Sequence, residues 1–571
     1  MPPLRTQNHF SLMPKHFELH RSFLLLLFLV ASTTLFAQAP KWQKKAHKAM
    51  LSIITYGADG QMLHTTNGFF IHPDGIVLSD YHSFQGAVRA AVFDASGNEW
   101  PVESIMGANS LYDVVKVKVS AKKAVSLTLA SDDSQKGAKV FILPYSSNNS
   151  HAISSTITDV STFNEHYSYY TLPIRVPEKW TSCPVMNETG DVIGLLQMAA
   201  MAKDTCSYAV SALFADSLHT HALSAATSDY QAIPMKKALP GEATQAHSFI
   251  YLTGTRDTTL YLSYVEDYLT LFPTEANGYT MKAEMLADLR RYDEAEAVWA
   301  AGMKAASHPE DIYYSRANAI FRHVSMDKAP ESWTLDTAME EVEHARSINP
   351  LPVYSALKAQ ILYSQKEYAK ACEQFLALNN TNLRSADNFL YAAQCQQMVN
   401  DTLAVLALQD SAVACFTKPY VEAAAPALLM RSGTLISLHR YREAVRDLND
   451  YEHLKSKNLT ANFYYRREQA EMRCRMFQQA LSDIEQAVKM APREPLFQAE
   501  AAAVHYRFGN LDDAIAAARQ AIALDDEFAD AHRILGVCLR AQQKETEART
   551  ALQRAADLGD EMAKSLLNAA P

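Results

Sequence analysis

Residues Lys179 to Gly194 read KWTSCPVMNETGDVIG, the pattern of a strand, a tight turn and a second strand. The turn lies at Asn187–Asp191, where Gly190 can adopt the positive φ that a hairpin turn requires. Three small residues with nucleophilic side chains precede the first strand: Thr181, Ser182 and Cys183. A hydroxyl at the mouth of a hairpin is where a nucleophilic hydrolase would place its attacking oxygen. The main question about function is therefore whether a hydroxyl in this stretch can act as a nucleophile.

The composition of the chain is that of ordinary globular domains, with 571 residues, 48% hydrophobic and 20% charged. The length predicts about three or four domain-sized units, or fewer if one of them is a repeat array. The formal net charge of −10 argues against nucleic acid and against anionic lipid as main partners. The sequence contains no CxxC motif or His/Cys cluster, so we expect neither a metal nor a cofactor.

The first 37 residues are typical of a secretory signal peptide. Basic residues precede the short apolar run Phe23–Val30, which fades toward the small residue Ala37. This run is shorter than the ~20 apolar residues that cross a membrane. We therefore expect cleavage after Ala37, export to the periplasm or the extracellular space, and no transmembrane segment after cleavage. Translation could start at Met1 or at Met13.

Residues 41–225 alternate short apolar segments with turns and show no helical periodicity. The pattern predicts strands at Met50–Tyr56, Gly68–Ile71, Ile76–Ser79, Val88–Phe93, Val114–Val119, Val140–Leu143, Tyr169–Leu172, Val192–Gln197 and Ser207–Val210. Many short strands at this spacing predict an all-β barrel or sandwich.

Three segments of this region carry side chains suited to catalysis. Residues 66–83, TNGFFIHPDGIVLSDYHS, are a hairpin that ends at His82, and residues 107–119, GANSLYDVVKVKV, place Asp113 before a strand. The opening stretch adds Thr181 and Ser182. Acyl-transfer hydrolysis needs a hydroxyl, an imidazole that takes its proton and a carboxylate that orients the imidazole. These residues supply all three groups.

The same segments resemble those of the trypsin-like serine proteases, most closely the exported HtrA-type branch. There the histidine hairpin reads like GSGFIIsPDGYILTNNHV, and the last hairpin like GNSGGPLxNxxGEVIGI. The resemblance covers about residues 52–218 and implies an all-β trypsin-like double barrel over residues 41–225. It also implies that His82 is the general base and that Asp113 orients it.

The nucleophile position departs from the family pattern. Alignment on Pro184 without gaps puts Thr181 at the serine and replaces two glycines by Ser182 and Cys183, whereas one deletion makes Ser182 the nucleophile. Glycine permits the backbone angles that aim the N–H donors of an oxyanion hole, and losing one donor costs about 10²–10³ in rate. We therefore expect lost or much reduced peptidase activity, with Thr181, Ser182 or neither of them as the nucleophile. The resemblance also places Cys183 and Cys206 on neighbouring strands, where a disulfide could clamp the loop.

Beyond a predicted linker at residues 226–248, the periodicity becomes helical and stays so through residues 249–571. Eight alanines recur at steps of 43, 33, 33, 40, 36, 34 and 34 residues: Ala295, Ala338, Ala371, Ala404, Ala444, Ala480, Ala514 and Ala548. A period near 34 resembles the tetratricopeptide repeat (TPR) pattern and predicts an all-α TPR solenoid of about eight repeats. Its concave face would bind a protein or peptide partner through Tyr313, Tyr314, Arg316, Tyr354, Tyr391, Tyr464, Tyr465, Arg466 and Arg467.

Two functions are compatible with this organisation. The first is an exported scaffold, in which an inactive trypsin-like module is joined to a solenoid that binds protein. The second is an active serine endopeptidase, using His82, Asp113 and Thr181 or Ser182, whose solenoid recruits substrate.

Overall fold

The computed structural model describes residues 40–145, 151–163, 166–197, 204–253, 257–455, 457 and 459–568. The chain divides into two compact units, one made of residues up to 285 with 305–307, the other of residues 286–304 and 308 onward. The predicted signal peptide, residues 1–37, lies outside the described residues. None of the helices in the described part has the length and apolarity that crossing a bilayer requires.

The first unit begins with a short helix, α1 (Gln43–His47), followed by a closed six-stranded barrel. Its strands are β1 (Met50–Tyr56), β2 (Met62–His72), β3 (Ile76–Ser79), β4 (Arg89–Asp94), β5 (Glu99–Asn109) and β6 (Val114–Val119). They pair in the order β1-β2-β3-β6-β5-β4, which closes because β4 pairs with β1. Alternate side chains such as Ile53, Val77 and Val117 are buried inside the barrel, as the two-residue period predicts.

A second, seven-stranded sheet completes the β region. Its strands are β7 (Lys139–Ile142), β8 (Ile153–Thr156), β9 (Asp159–Phe163), β10 (Tyr167–Leu172), β11 (Pro184–Met186), β12 (Val192–Leu196) and β13 (Ser207–Ser211). Their order is β8-β7-β11-β12-β13-β10-β9. The two sheets confirm the predicted all-β double barrel.

The opening stretch forms the predicted hairpin. Strand β11 pairs with β12, with Val185 opposite Gly194. In the turn, the side-chain oxygen of Asn187 accepts the N–H groups of Gly190 and Asp191 at 2.9 and 2.8 Å. Gly190 has a φ of 93°, which only glycine adopts without strain.

The segment after the second sheet packs on the first barrel. Helices α2 (Phe214–Ser217) and α3 (Ser228–Gln231) lead into residues 230–238, here called the strap. The N–H of Ile105 donates to the carbonyl of Lys236 at 2.9 Å, and the N–H of Ala238 donates to the carbonyl of Ile105 at 2.8 Å. Residues 226–248, predicted as a linker, thus include backbone bound to the barrel.

Helices α4 (Ala243–Thr253) and α5 (Thr258–Leu271) follow the strap, and α6 (Ala276–Asp288) contains the boundary between the units. The strap is tied to α5, because the N–H of Lys237 donates to the Tyr264 hydroxyl at 3.0 Å and Lys236 pairs with Asp267 at 2.6 Å.

The second unit is all helical and confirms the predicted TPR solenoid. Its helices are α7 (Tyr292–Ala305), α8 (Pro309–Ser325), α9 (Leu335–Ile348), α10 (Pro352–Ser364), α11 (Tyr368–Leu378), α12 (Ala386–Met398), α13 (Thr402–Val413), α14 (Ala425–Ser437), α15 (Tyr441–Lys455), α16 (Ala461–Arg473), α17 (Phe477–Met490), α18 (Pro495–Phe508), α19 (Leu511–Leu524), α20 (Ala529–Ala541), α21 (Glu545–Asp557) and α22 (Glu561–Asn568). Seven of the eight repeated alanines are fully buried, and Ala404 is half-buried. Small residues at these positions let consecutive helices approach closely.

Candidate active site

His82 and Asp113 come together at one end of the first barrel. His82 follows β3 and begins a short 3₁₀ helix, and Asp113 occupies the turn between β5 and β6. The backbone N–H of His82 donates to Oδ1 of Asp113 at 2.8 Å. Burial, reinforced by the negative charge of Asp80, raises the pKa of the Asp113 carboxyl above its ordinary value, although the bond from His82 lowers it in part.

The imidazole of His82 is exposed, and its ring centroid lies 5.8 Å from that of His64. Among the described residues, the ring is hydrogen-bonded neither to the Asp113 carboxylate nor to a hydroxyl. General-base catalysis requires such a bond, at about 2.6–3.2 Å, between the base and the hydroxyl whose proton it takes. The His82 imidazole and the Asp113 carboxylate are therefore near each other without a hydrogen bond that connects them.

Thr181 lies at the end of a second 3₁₀ helix, Glu178–Trp180, within the segment 178–183, here called the nucleophile loop. Its hydroxyl donates to the carbonyl oxygen of Glu178 at 2.8 Å, and its N–H donates to the same oxygen at 2.9 Å. An oxyanion hole needs N–H groups aimed at the reacting oxygen. At Thr181 both the hydroxyl and the N–H are instead bonded within the loop.

Ser182 is fully buried, and its hydroxyl donates to Oδ1 of Asp80 at 2.6 Å. Its N–H donates to the carbonyl of Leu196 in β12 at 2.8 Å. The φ of Ser182 is 67°, in the left-handed region that favours glycine. In the ungapped alignment Ser182 replaces a glycine of the family pattern, and its backbone has the conformation that a glycine favours. Its hydroxyl is bonded to Asp80 and not to His82.

Asp80 is a site residue that the sequence patterns did not identify. It is 3% exposed, and besides Ser182 it accepts hydrogen bonds from the Thr66 hydroxyl and, at 2.8 Å, from the N–H of Ser83. No described lysine, arginine or histidine forms an ion pair with it, so these donors compensate its loss of hydration. The available signal was the sequence SDYH, which has an aspartate where the family pattern TNNH has an asparagine.

Asn67 in β2 is a second site residue that the sequence patterns did not identify. Its side-chain amide donates to the carbonyls of Lys179 and Thr181, both at 2.8 Å. Asn67 therefore fixes the nucleophile loop to the first barrel, while Ser182 fixes it to Asp80. Two independent contacts hold the loop in its closed conformation.

The expected disulfide between Cys183 and Cys206 is not formed, and both thiols are free. Cys183 precedes β11 and Cys206 precedes β13, and β12 lies between these strands. Residues two strands apart are separated by roughly 9–10 Å, which exceeds the span of a disulfide. Cys183 is also fully buried, which raises the pKa of its thiol to about 12.

Of the residues proposed for the concave face, three hold the array together. Arg316 pairs with Glu296 at 2.8 Å, the Tyr354 hydroxyl donates to Asp311 at 2.8 Å, and Arg467 pairs with Asp483 at 2.6 Å. Four others are half-buried: Tyr313, Tyr314, Tyr464 and Tyr465. Only Tyr391 and Arg466 of this set are exposed, so they are the better candidates for partner contact.

Comparison with known proteins supports both halves of this architecture. Residues 66–195 match the family model of the trypsin-like peptidase domain, and residues 469–526 and 499–563 match that of the tetratricopeptide repeat. The chain therefore contains a trypsin-like peptidase domain followed by tetratricopeptide repeats, as predicted. No curated protein matches it significantly.

Several solved proteases are similar to part of the chain. The inactive form of a serine-to-alanine mutant of Rv3671c from M. tuberculosis H37Rv is 18% identical, with a TM-score of 0.27, over 31% of this chain and 88% of that one. The serine endoprotease from Yersinia pestis is 14% identical, with a TM-score of 0.27, over 30% and 62%. The HtrA-type protease AlgW with a tripeptide is 15% identical, with a TM-score of 0.27, over 30% and 60%.

Proposed function

We propose that the protein is an exported scaffold, in which a trypsin-like module without peptidase activity is joined to a TPR solenoid that binds a protein or peptide partner. The trypsin-like module would then act as a pseudoprotease that contributes structure or a binding surface. Its nucleophile loop would have lost the ability to form an acyl-enzyme.

The observation that carries this proposal is the closed nucleophile loop. The N–H and hydroxyl of Thr181 are both bonded to the carbonyl of Glu178, and the Ser182 hydroxyl is bonded to Asp80. Attack on a substrate carbonyl would need one hydroxyl at the imidazole and free N–H donors at the developing oxyanion. In this arrangement neither requirement is met.

Labelling with an alkyl fluorophosphonate tests the proposal, because this reagent reacts with a hydroxyl only when the base and oxyanion hole activate it. We expect no covalent label on the folded full-length chain, with trypsin as the positive control. Label on the wild type that disappears in His82→Ala, while circular dichroism shows both proteins folded, would establish the peptidase and overturn the proposal.

One observation favours the alternative, an active serine endopeptidase with TPR-mediated substrate recruitment. His82 and Asp113 are both present, and the Asp113 carboxylate, which accepts the backbone N–H of His82, interacts electrostatically with the imidazole. The nucleophile would then be Thr181 after the bonds to Glu178 break, since the Ser182 hydroxyl is fully buried. Mass spectrometry of a labelled peptide would identify Thr181 or Ser182 as the attacking residue.

The partner-binding half of the proposal rests on the TPR array and on the exposed residues of its first helices. Selection of peptides displayed on phage against the full-length chain would yield a probe for this surface. We expect Tyr391→Ala and Arg466→Glu to weaken binding of the selected peptide. The control is Arg549→Glu, an exposed arginine on α21, the second helix of its pair. Equal effects of the control and of Arg466→Glu would contradict partner binding on the concave face.

Export is tested at the N-terminus of the mature protein. If the predicted signal peptide is removed after Ala37, Edman sequencing of protein from the native cell envelope or medium begins at Gln38. A sequence beginning at Met1 or Met13 in cytosolic fractions would contradict export.

A further inference from the structure

A cleft on the first barrel has the size and charge of a small-molecule site, and none of the candidate catalytic residues lines it. It has a volume of about 880 Å³ and lies between α1, the β4–β5 turn and the turn after β6. Pockets that bind small ligands enclose about 300–1,000 Å³ and combine aromatic walls with a few polar groups. The volume of this cleft falls within that range.

Two aromatic residues lie among the apolar residues that line the cleft. Phe70 and Trp100 pack edge to face with ring centroids 6.0 Å apart. Phe70 is almost fully buried, whereas Trp100 is half-buried. The indole N–H of Trp100 has no acceptor among the described residues, so it is available to donate to a ligand.

The rim of the cleft is strongly cationic. Five lysines line it: Lys41, Lys44, Lys48, Lys122 and Lys123. None of them forms an ion pair with a carboxylate in the part of the chain that the structure describes. This concentration of positive charge contrasts with the net charge of −10 for the whole chain.

Asp94, the one carboxylate among the described residues that line the cleft, already accepts hydrogen bonds. Its Oδ1 accepts the N–H groups of Ser96 and Asn98 at 2.8 and 2.9 Å, and its Oδ2 accepts the Asn98 side-chain amide at 2.8 Å. Asp94 therefore shapes the β4–β5 turn and is not paired with the lysines. An anion in the cleft would lie near lysines that are not already paired with carboxylates of the described residues.

We propose that this cleft binds a small amphipathic anion, an apolar body carrying a carboxylate or a phosphate. The apolar body would lie on Phe70 and Trp100, and the anionic group would face the lysines. An acidic peptide would satisfy the lysines but would leave the aromatic pair without an apolar partner, so we favour the small amphiphile.

Isothermal titration calorimetry on the full-length chain tests this site. We expect dodecanoate, dodecyl phosphate or both to bind with one-to-one stoichiometry, and the comparison of the two distinguishes a carboxylate from a phosphate ligand. Dodecyltrimethylammonium, which has the same chain and the opposite charge, and pentaglutamate, which lacks the apolar body, should bind at least about tenfold more weakly.

Charge reversal within α1 supplies a matched pair of variants. Lys44→Glu changes a residue that lines the cleft and should weaken anion binding about tenfold, roughly the value of one charged hydrogen bond. Lys45→Glu makes the same charge change on the same helix outside the cleft and should leave affinity within about twofold of wild type. Trp100→Ala should weaken the binding of both dodecanoate and dodecyl phosphate. Equal affinities of the two lysine variants, tight binding of the cation or of pentaglutamate, or no binding of either anion would each overturn the proposal.

Discussion

Replacing Ser182 by alanine removes the hydrogen bond that its hydroxyl donates to the buried Asp80 carboxylate. A bond to a charged, buried acceptor contributes about 1.5–3 kcal/mol, so Ser182→Ala should lower the free energy of unfolding of the first unit by about 2 kcal/mol. Ser182→Gly loses the same bond but removes the Cβ from a residue at φ 67°, which relieves about 1 kcal/mol. The glycine variant should therefore be destabilised by only about 1 kcal/mol.

Thr181→Ala is the matched control, since it removes a neighbouring hydroxyl that donates to an uncharged carbonyl at a half-buried position. Its expected cost is about 0.5 kcal/mol. Differential scanning calorimetry of the full-length chain measures the relative stabilities of the three variants. Hydrogen exchange of β2 and β11 peptides assigns the thermal transition to the first unit. A cost of 2 kcal/mol corresponds to a Tm decrease of roughly 4–8 °C. If Ser182→Ala costs no more than Thr181→Ala, or if glycine is no better than alanine, the proposed role of Ser182 is wrong.

Three further predictions concern the loop and the array. Asn67→Ala should accelerate hydrogen exchange in residues 178–182 without changing the array, because two loop carbonyls lose their donor; unchanged exchange would mean that the amide does not restrain the loop. Trp299→Ala should cost the array about 3–5 kcal/mol, measured as a loss of its calorimetric stability, since this side chain is fully buried; a cost below about 1 kcal/mol would contradict that burial. Burial raises the pKa of Glu468 and Glu471 from 4.5 to about 8. Between these pH values the folded array therefore binds protons that the unfolded chain has released. The free energy of unfolding should fall as the pH rises through this range. Its Tm should be higher at about pH 5.5 than at about pH 8.5, and Glu468→Gln should reduce that difference; a Tm that rises with pH would show the opposite linkage.

The strands with regular alternation were predictable from the sequence. β1, β3 and β6 have the predicted bounds, and β1 and β6 place alternate apolar residues inside one barrel. β5 was missed for a physical reason. It contains Pro101, and its register against β6 shifts twice, between Val102 and Ser104 and between Ile105 and Gly107. These irregularities break the two-residue period on which strand prediction depends.

The candidate site was predictable only in part. The family pattern located His82, Asp113 and the hairpin, since each sits in a recognisable local string. The bond between Ser182 and Asp80 joins residues 102 positions apart, one shortly before a strand of the second sheet and one directly after a strand of the first barrel. No local pattern encodes such a contact. Whether a hydroxyl faces the imidazole or a buried carboxylate depends on which side chains the fold brings together. For that reason the sequence left Thr181 and Ser182 as alternatives.

The strap completes the hydrophobic core of the first barrel, so a fragment that folds as this barrel must include it. Tyr230, Ile233 and Met235 are buried in the core of the first barrel, although they lie beyond residue 225, where the strand pattern ends. A fragment cut at residue 225 would lose these three side chains, at about 1.5–3 kcal/mol each, and would open a hydrophobic surface to aggregation. The β strands alone therefore do not make a complete trypsin-like domain. A fragment meant to fold independently should extend at least through Ala238.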